Sequence, residues 1–201
     1  MREIADGIVH WTAQHPNIGQ RVSSYLVVPS ATLIDPLLPD EGLDGLEGIV
    51  RPERIVLTNR HHVRDVPTIV DAFGCSVHVH EKGTATFADL DVAPSTFAFG
   101  DEVAPGITAL EVGSITPEET ALRIDVGDGA LSFADGFLNE GGRVGFMPDG
   151  LLGEDPDAVR RGLRLAATRL LDERFAHLLF AHGDPIVGDG REALQAVTVP
   201  A

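Results

Sequence analysis

The chain of 201 residues has one cysteine, Cys75, and one lysine, Lys82. A lone cysteine excludes an intrachain disulfide and any metal site built from several thiolates, and Cys75 reads as a small buried hydrophobe. Aromatics make up only 5% of the residues, so a core must come from Val, Leu, Ile and Ala. Positive charge is scarce: 15 Lys and Arg face 31 Asp and Glu, a formal charge of −16. Counter-ion release from nucleic acid, or attraction to anionic lipid, needs a basic face, so neither partner is expected. Long apolar runs are missing as well. The longest stretches free of Asp, Glu, Lys and Arg are Ile8–Gln20 and Val22–Ile34, at 13 residues each, too short and too polar to span a bilayer. Met1–Gly7 carries no apolar signal-type segment, which points to a cytoplasmic protein.

What is present is globular: 43% hydrophobic and 23% charged residues, long enough for one domain over residues 1–201. No internal repeat breaks it. Strands are expected at Ile8–Thr12, Ser23–Val28 and Ala31–Ile34, the last two forming a hairpin around Pro29-Ser30. Ile55–Thr58 reads as a buried strand, His61–Phe73 as a helix stopped by Gly74, and Val77–His80 as the next strand, a parallel βαβ unit. The middle is β-rich, with Gly127-Asp128-Gly129 as a hairpin turn. Asp155 and Pro156 predict the cap and first residue of the longest helix. Leu178–Phe180 follows as a strand, and Gly190–Val197 as a closing helix.

Three segments concentrate titratable residues after apolar strands, where sites of α/β sheets collect. The first is Asn59-Arg60-His61-His62-Val63-Arg64-Asp65. His61 and His62 would point about 100° apart on a helix, whereas His62 and Asp65 could share a face. The second delivers Asp135 after Leu131–Phe133. The third places His182 beside Gly183 after Leu178–Phe180, and the glycine allows close backbone approach. Each has a plain structural alternative: a helix cap, a turn former, a loop histidine. His78 and His80 lie on one strand face; His10, His15 and His177 have no evident partner.

In this order the segments resemble the metallo-β-lactamase-fold superfamily. Leu33-Ile34-Asp35-Pro36 is similar to its opening turn, and Leu57-Thr58 to the strand end before its His-x-His-x-Asp-His signature. Gly113-Ser114-Ile115-Thr116-Pro117-Glu118-Glu119, Ala134-Asp135 and Ala181-His182-Gly183 resemble its later segments. The resemblance implies an α/β fold of the four-layer αββα sandwich type. It also implies metal-ligand positions at His61, Asp135 and His182, with His62 and Asp65 as further candidates. Four ligand positions of the pattern are altered: Asn59, Val63, Arg64 and Ser114. Val63 and Arg64 cannot coordinate a metal, and neither family metal site keeps three protein ligands.

Three functions follow. One is a hydrolase-like protein that has lost the dinuclear site, a non-catalytic pseudoenzyme and candidate homodimer, with no metal cofactor. In it the Arg64 guanidinium stands beside Asp135 where the family has a dication. Another is a hydrolase of esters, thioesters or lactones with a rebuilt site for one zinc, manganese or iron ion. The third is a metal-free acid–base enzyme or binder of a small molecule or anion, using Arg64, His61 and His182. Pro148–Asp155, rich in Gly, Pro and Asp, is a candidate lid.

Overall fold

The computed structural model describes residues 1–199; the last two residues of the expected domain lie outside them. Seven strands form the first sheet in sequence order: β1 (Arg2–Ala5), β2 (Ile8–Gln14), β3 (Arg21–Val27), β4 (Thr32–Ile34), β5 (Arg54–Val56), β6 (Ser76–His80) and β7 (Ser95–Phe97). β1 to β4 pair antiparallel, whereas β4 to β7 pair parallel. The second half contributes β8 (Glu102–Ala104), β9 (Ile107–Glu111), β10 (Thr120–Ile124), β11 (Ala130–Phe133), a ribbon of β12 (Leu138–Glu140) and β13 (Arg143–Gly145), and β14 (His177–Phe180). The second sheet runs β14-β11-β10-β9-β8, antiparallel except for the parallel pair β11 and β14. Helices α1 (Gly42–Glu47), α2 (Val66–Phe73), α3 (Pro156–Leu170) and α4 (Gly190–Thr198) complete it.

Alternation along the strands sorts the side chains into layers. Tyr25, Val27, Ile34 and Val56 of the first sheet meet Ile107, Ala109, Leu122, Ala130 and Leu179 of the second in one buried cluster. Leu26, Leu33, Ile55 and Val77 point the other way, onto Leu46 of α1 and Val66 and Ile69 of α2. On the far side Leu131, Phe133, Leu178 and Phe180 pack on Leu163, Ala166, Ala167 and Leu170 of α3 and Leu194 of α4. The protein is therefore an αββα sandwich. Small Ala166 and Ala167 let α3 lie close to the bulky phenylalanines of the sheet.

The strand positions, the glycine hairpin and the parallel β5–α2–β6 unit agree with the sequence expectation. Asp155 caps α3 as expected, accepting from the Ala158 amide at 2.8 Å. The helix expected from His61 onward differs: α2 begins only at Val66. Arg64 has φ +43°, a left-handed conformation no helix continues through, and Pro67 suits only the first turn. His62 and Asp65 consequently do not share a helix face.

A buried tyrosine ties the two sheets together across the core. The Tyr25 hydroxyl on β3 donates to the Phe180 carbonyl on β14 at 2.9 Å and accepts from the Phe180 amide at 3.0 Å. Tyr25 is 1% exposed. Tyr25→Phe keeps the ring but leaves both Phe180 groups unpaired, which costs about 1–3 kcal/mol. Urea unfolding of the variant is expected to show a lower midpoint at an unchanged slope.

Candidate functional site

The parallel strands of both sheets end on the same rim of the sandwich. β4 ends in Asp35, and β5 runs on through Leu57 to Thr58 and Asn59. β11 delivers Asp135, and β14 delivers His182. Asp35 organises the first pair. Its Oδ1 accepts from the Thr58 amide at 2.9 Å and its Oδ2 from the Thr58 hydroxyl at 2.5 Å. Asn59 then sets the following turn. Its Oδ1 accepts from the His61 amide at 2.9 Å, and its carbonyl from the His62 amide at 3.1 Å. That turn leaves His61 exposed and sends His62 inward, where it is buried.

His62 stands between two carboxylates. Its Nδ1 lies 2.9 Å from Asp35 Oδ2, and its Nε2 lies 3.2 Å from Asp135 Oδ1. The Nδ1 contact is off the line of the N–H, so it acts as an ion pair rather than an aligned hydrogen bond. His182 Nε2 approaches the same Asp135 Oδ1 at 3.1 Å. The other oxygen, Oδ2, accepts from the Asn59 side-chain amide at 3.2 Å. One potential ligand atom from each of His62, Asp135 and His182 lies within 4.8 Å of the others.

The electrostatics follow from burial and these neighbours. Burial opposes charge on His62, as does the Arg64 guanidinium, but Asp35 and Asp135 outweigh them and raise it to about 9. Burial pushes Asp135 upward, yet His62 and His182 hold it well below the usual carboxylate range. Asp35 is likewise lowered against its burial, by His62, Arg64 and Thr58. At neutral pH two carboxylates are thus balanced by the His62 imidazolium and Arg64.

The expected candidates divide. Asp135 and His182 come together as the sequence suggested. The third member of their cluster is His62, one of the further candidates, and not His61, which the resemblance implied, because the Asn59 turn sends His62 inward. Asp65 is elsewhere, its Oδ2 accepting from the Leu38 amide at 2.8 Å. Val63 packs with the α2 side of the first sheet. The Ser114 hydroxyl donates to the Val112 carbonyl. Arg64 does not pair with Asp135 as expected. Its Nη1 donates to the Ser23 carbonyl at 2.9 Å and the Asp35 carbonyl at 2.5 Å, because its left-handed backbone turns the side chain back toward β3 and β4. His78 contacts Ser76 Oγ at 3.0 Å, and His177 Nδ1 accepts from the Gly188 amide.

Two residues of weight were not assigned a role from sequence. Asp35 appeared only as part of a turn, although an acidic residue straight after a buried strand was a usable signal. Glu119 was the other. It is 1% exposed and accepts from the Gly136 and Ile115 amides. Burial, reinforced by Asp135, pushes it up to about 7. A Cβ at position 136 would sit 2.7 Å from Glu119 Oε1, so the glycine after Asp135 makes room for this carboxylate. Neighbouring Glu118 pairs with Arg60 through both oxygens.

The His182 loop is braced from behind. Gly183 has φ +96°, and a Cβ there would lie 2.4 Å from the Asn139 carbonyl oxygen. Ser23 Oγ donates to the Gly183 carbonyl at 3.0 Å and contacts His10 Nε2 at 3.0 Å. The hydroxyl proton being used on Gly183, His10 must donate from Nε2 and carries its proton there. Burial, with help from Arg2, lowers His10 to about 4. The unfolded chain binds a proton near pH 6.5 that the folded one refuses until about pH 4. Stability is accordingly lost as pH falls through that window, by at most about 3 kcal/mol. His10→Gln, which retains a donor, is expected to flatten that loss in urea unfolding between about pH 7 and pH 4. Gly183→Ala is expected to lower the unfolding midpoint at every pH, by strain of about 1–3 kcal/mol.

No protein-family model and no curated protein matches the sequence. Solved structures do. The metallo-β-lactamase DIM-1, exposed to ceftazidime, aligns with a TM-score of 0.71 at 12% identity, over 98% of this chain and 93% of that one. TTHA1623, solved in a di-iron-bound form, is 24% identical over 94% of this chain and 98% of its own, with a TM-score of 0.67. A metallo-β-lactamase family protein of Thermus thermophilus is 17% identical, covering 96% of this chain and 78% of its own, with a TM-score of 0.65.

Proposed function

Starting from the metallo-β-lactamase fold that this chain has, we propose a hydrolase of carboxylic-acid derivatives (esters, thioesters or lactones) that works with one divalent ion held by His62, Asp135 and His182. The carrying observation is that both imidazole Nε2 atoms converge on one carboxylate oxygen, at 3.2 and 3.1 Å. Neighbouring donors around a tetrahedral ion with bonds of about 2.0–2.1 Å are separated by about 3.3 Å. The two imidazole–carboxylate separations are close to that, and the two imidazole donor atoms lie within 4.8 Å of each other, which supports a single ion. Two His and one carboxylate suit zinc, manganese or iron. Asn59 occupies Asp135 Oδ2, and Val63 and Arg64 add no ligand, which favours one ion over two. Such an ion polarises a carbonyl and acidifies a bound water.

The chain's own groups do the remaining work. Asp35, beside Nδ1, keeps a proton on that nitrogen of His62 while Nε2 gives its proton up and presents a lone pair. The Asn59 amide fixes the plane of the Asp135 carboxylate. His61, exposed at the cleft wall, is placed to deliver a proton to a leaving group. Two of the structural neighbours are named as β-lactamases or their family, and a lactam is also a carboxylic-acid derivative.

A second reading, a non-catalytic protein without metal, is favoured by the charge balance. The His62 imidazolium between Asp35 and Asp135 already performs the neutralisation a cation would. Elemental analysis of tag-free protein re-equilibrated with zinc, manganese or iron decides between them. About one ion per chain is expected, lost in His62→Ala and in His182→Ala but kept in His61→Ala. Hydrolysis of ester and lactone probes should fall at least about 100-fold in the first two variants. Retention of no ion by the unaltered chain would sink the hydrolase and leave the metal-free reading.

A further inference from the structure

The three converging residues line a cleft of about 710 Å³ whose lining is mixed. Its apolar part is Ile18, Val22, Ile115, Leu138, Met147 and Leu151. Ile18 and Leu151 are 52% and 64% exposed, among the few large hydrophobics the protein leaves in water. They come from distant parts of the chain, the β2–β3 turn and the short helical turn Asp149–Leu151. Two exposed apolar side chains flanking one cleft are poorly explained as chance surface residues.

The polar part of the lining includes Arg64, the one Arg or Lys there, alongside the carboxylates of Asp135 and Glu140. Its guanidinium is held rigidly by the two backbone carbonyls that Nη1 reaches. Its Nε is buried without a partner, whereas Nη2 is not sealed off and makes no hydrogen bond among the described residues. No ion pair joins it to Asp135. Arg64 also sits at φ +43°, a conformation that costs a non-glycine residue energy and is retained where the surroundings impose it. The result is a fixed cation with an open donor, facing a cleft in a protein of formal charge −16.

We propose that this cleft takes an amphiphilic anion: its charged head hydrogen-bonds to Arg64 Nη2, and its apolar arm lies along the Ile18–Leu151 wall. This rests on the cleft being a substrate site, and it specifies the substrate as a carboxylic-acid derivative carrying a second, negatively charged group and an alkyl or aryl arm. Charge at a rigid guanidinium and area along the wall contribute separately, so they are separable by ligand.

Calorimetric titration of the full chain with octanoate, acetate and octanamide tests the inference, before and after dialysis against a chelator. Octanoate is expected to bind at least about tenfold tighter than both acetate, which lacks the arm, and octanamide, which lacks the charge. Arg64→Gln should weaken octanoate at least about tenfold. Ile18→Asp, at an exposed turn, should weaken octanoate while leaving acetate unchanged, and it keeps the test valid if Arg64→Gln fails to fold. Equal binding of octanamide and octanoate, or octanoate binding untouched by both substitutions, overturns the inference. Octanoate binding that needs zinc and vanishes in His62→Ala but survives Arg64→Gln would place the head on the ion. That outcome overturns the Arg64 assignment while leaving the proposed hydrolase standing.

Discussion

Two carboxylates sharing one imidazole set the constraints on this protein. Asp35 is buried and the Asp135 side chain, at the cleft, keeps 17% exposure, so an uncompensated charge would be costly, above all at Asp35. His62 between them, the Thr58 hydroxyl and amide on Asp35, and the Asn59 amide on Asp135 satisfy that requirement. Much of the local backbone exists to make those contacts. The left-handed Asp35 and Arg64, the early break in α2 and the inward turn of His62 all follow from placing donors around two acids. A cation at Nε2 of His62, whether proton or metal, is what this arrangement calls for.

The frame that carries these groups does not depend on that cation. Parallel strand ends from both sheets reach one rim, and the sheets are held by apolar packing and by the Tyr25 bridge to Phe180. Gly183 and the Ser23–His10 pair brace the His182 loop on the side away from the cleft. The residues that hold the sandwich together are thus largely distinct from those gathered at the rim.

Individual elements were legible because apolar strands, the glycine turn at 127–129 and the Asp155-Pro156 helix start are local signals, but the four-layer architecture followed only from the resemblance, since periodicity does not fix how strands are shared between sheets. Asp135 and His182 each follow a buried strand, a weak signal alone, and became candidates through the order of segments that the resemblance supplied. His61 was put forward by the resemblance and His62 only as a further candidate. The inward direction of His62 depends on an Asn59 side-chain bond to the His61 amide and on a left-handed Arg64. A motif aligned on Leu57-Thr58 reports neither. Arg64 was recognised as a cation near the acids, but its partners are backbone carbonyls on strands 29 and 41 residues away in sequence, a choice that only the assembled sheets define. Glu119 is similar, since its burial arises from Gly136 and Ile115 closing over it.

The Tyr25–Phe180 bridge joins residues 155 apart in sequence, and the His62–Asp135 contact spans 73. Contacts this distant close large loops, and chains dominated by them fold slowly. Each sheet is largely contiguous in sequence, the first from residues 2–97 and the second from 102–180, so each can assemble by itself. The rim where the histidines meet exists only after the two halves dock. The cluster of His62, Asp135 and His182 therefore cannot form on a nascent chain until β14 has emerged and found its place.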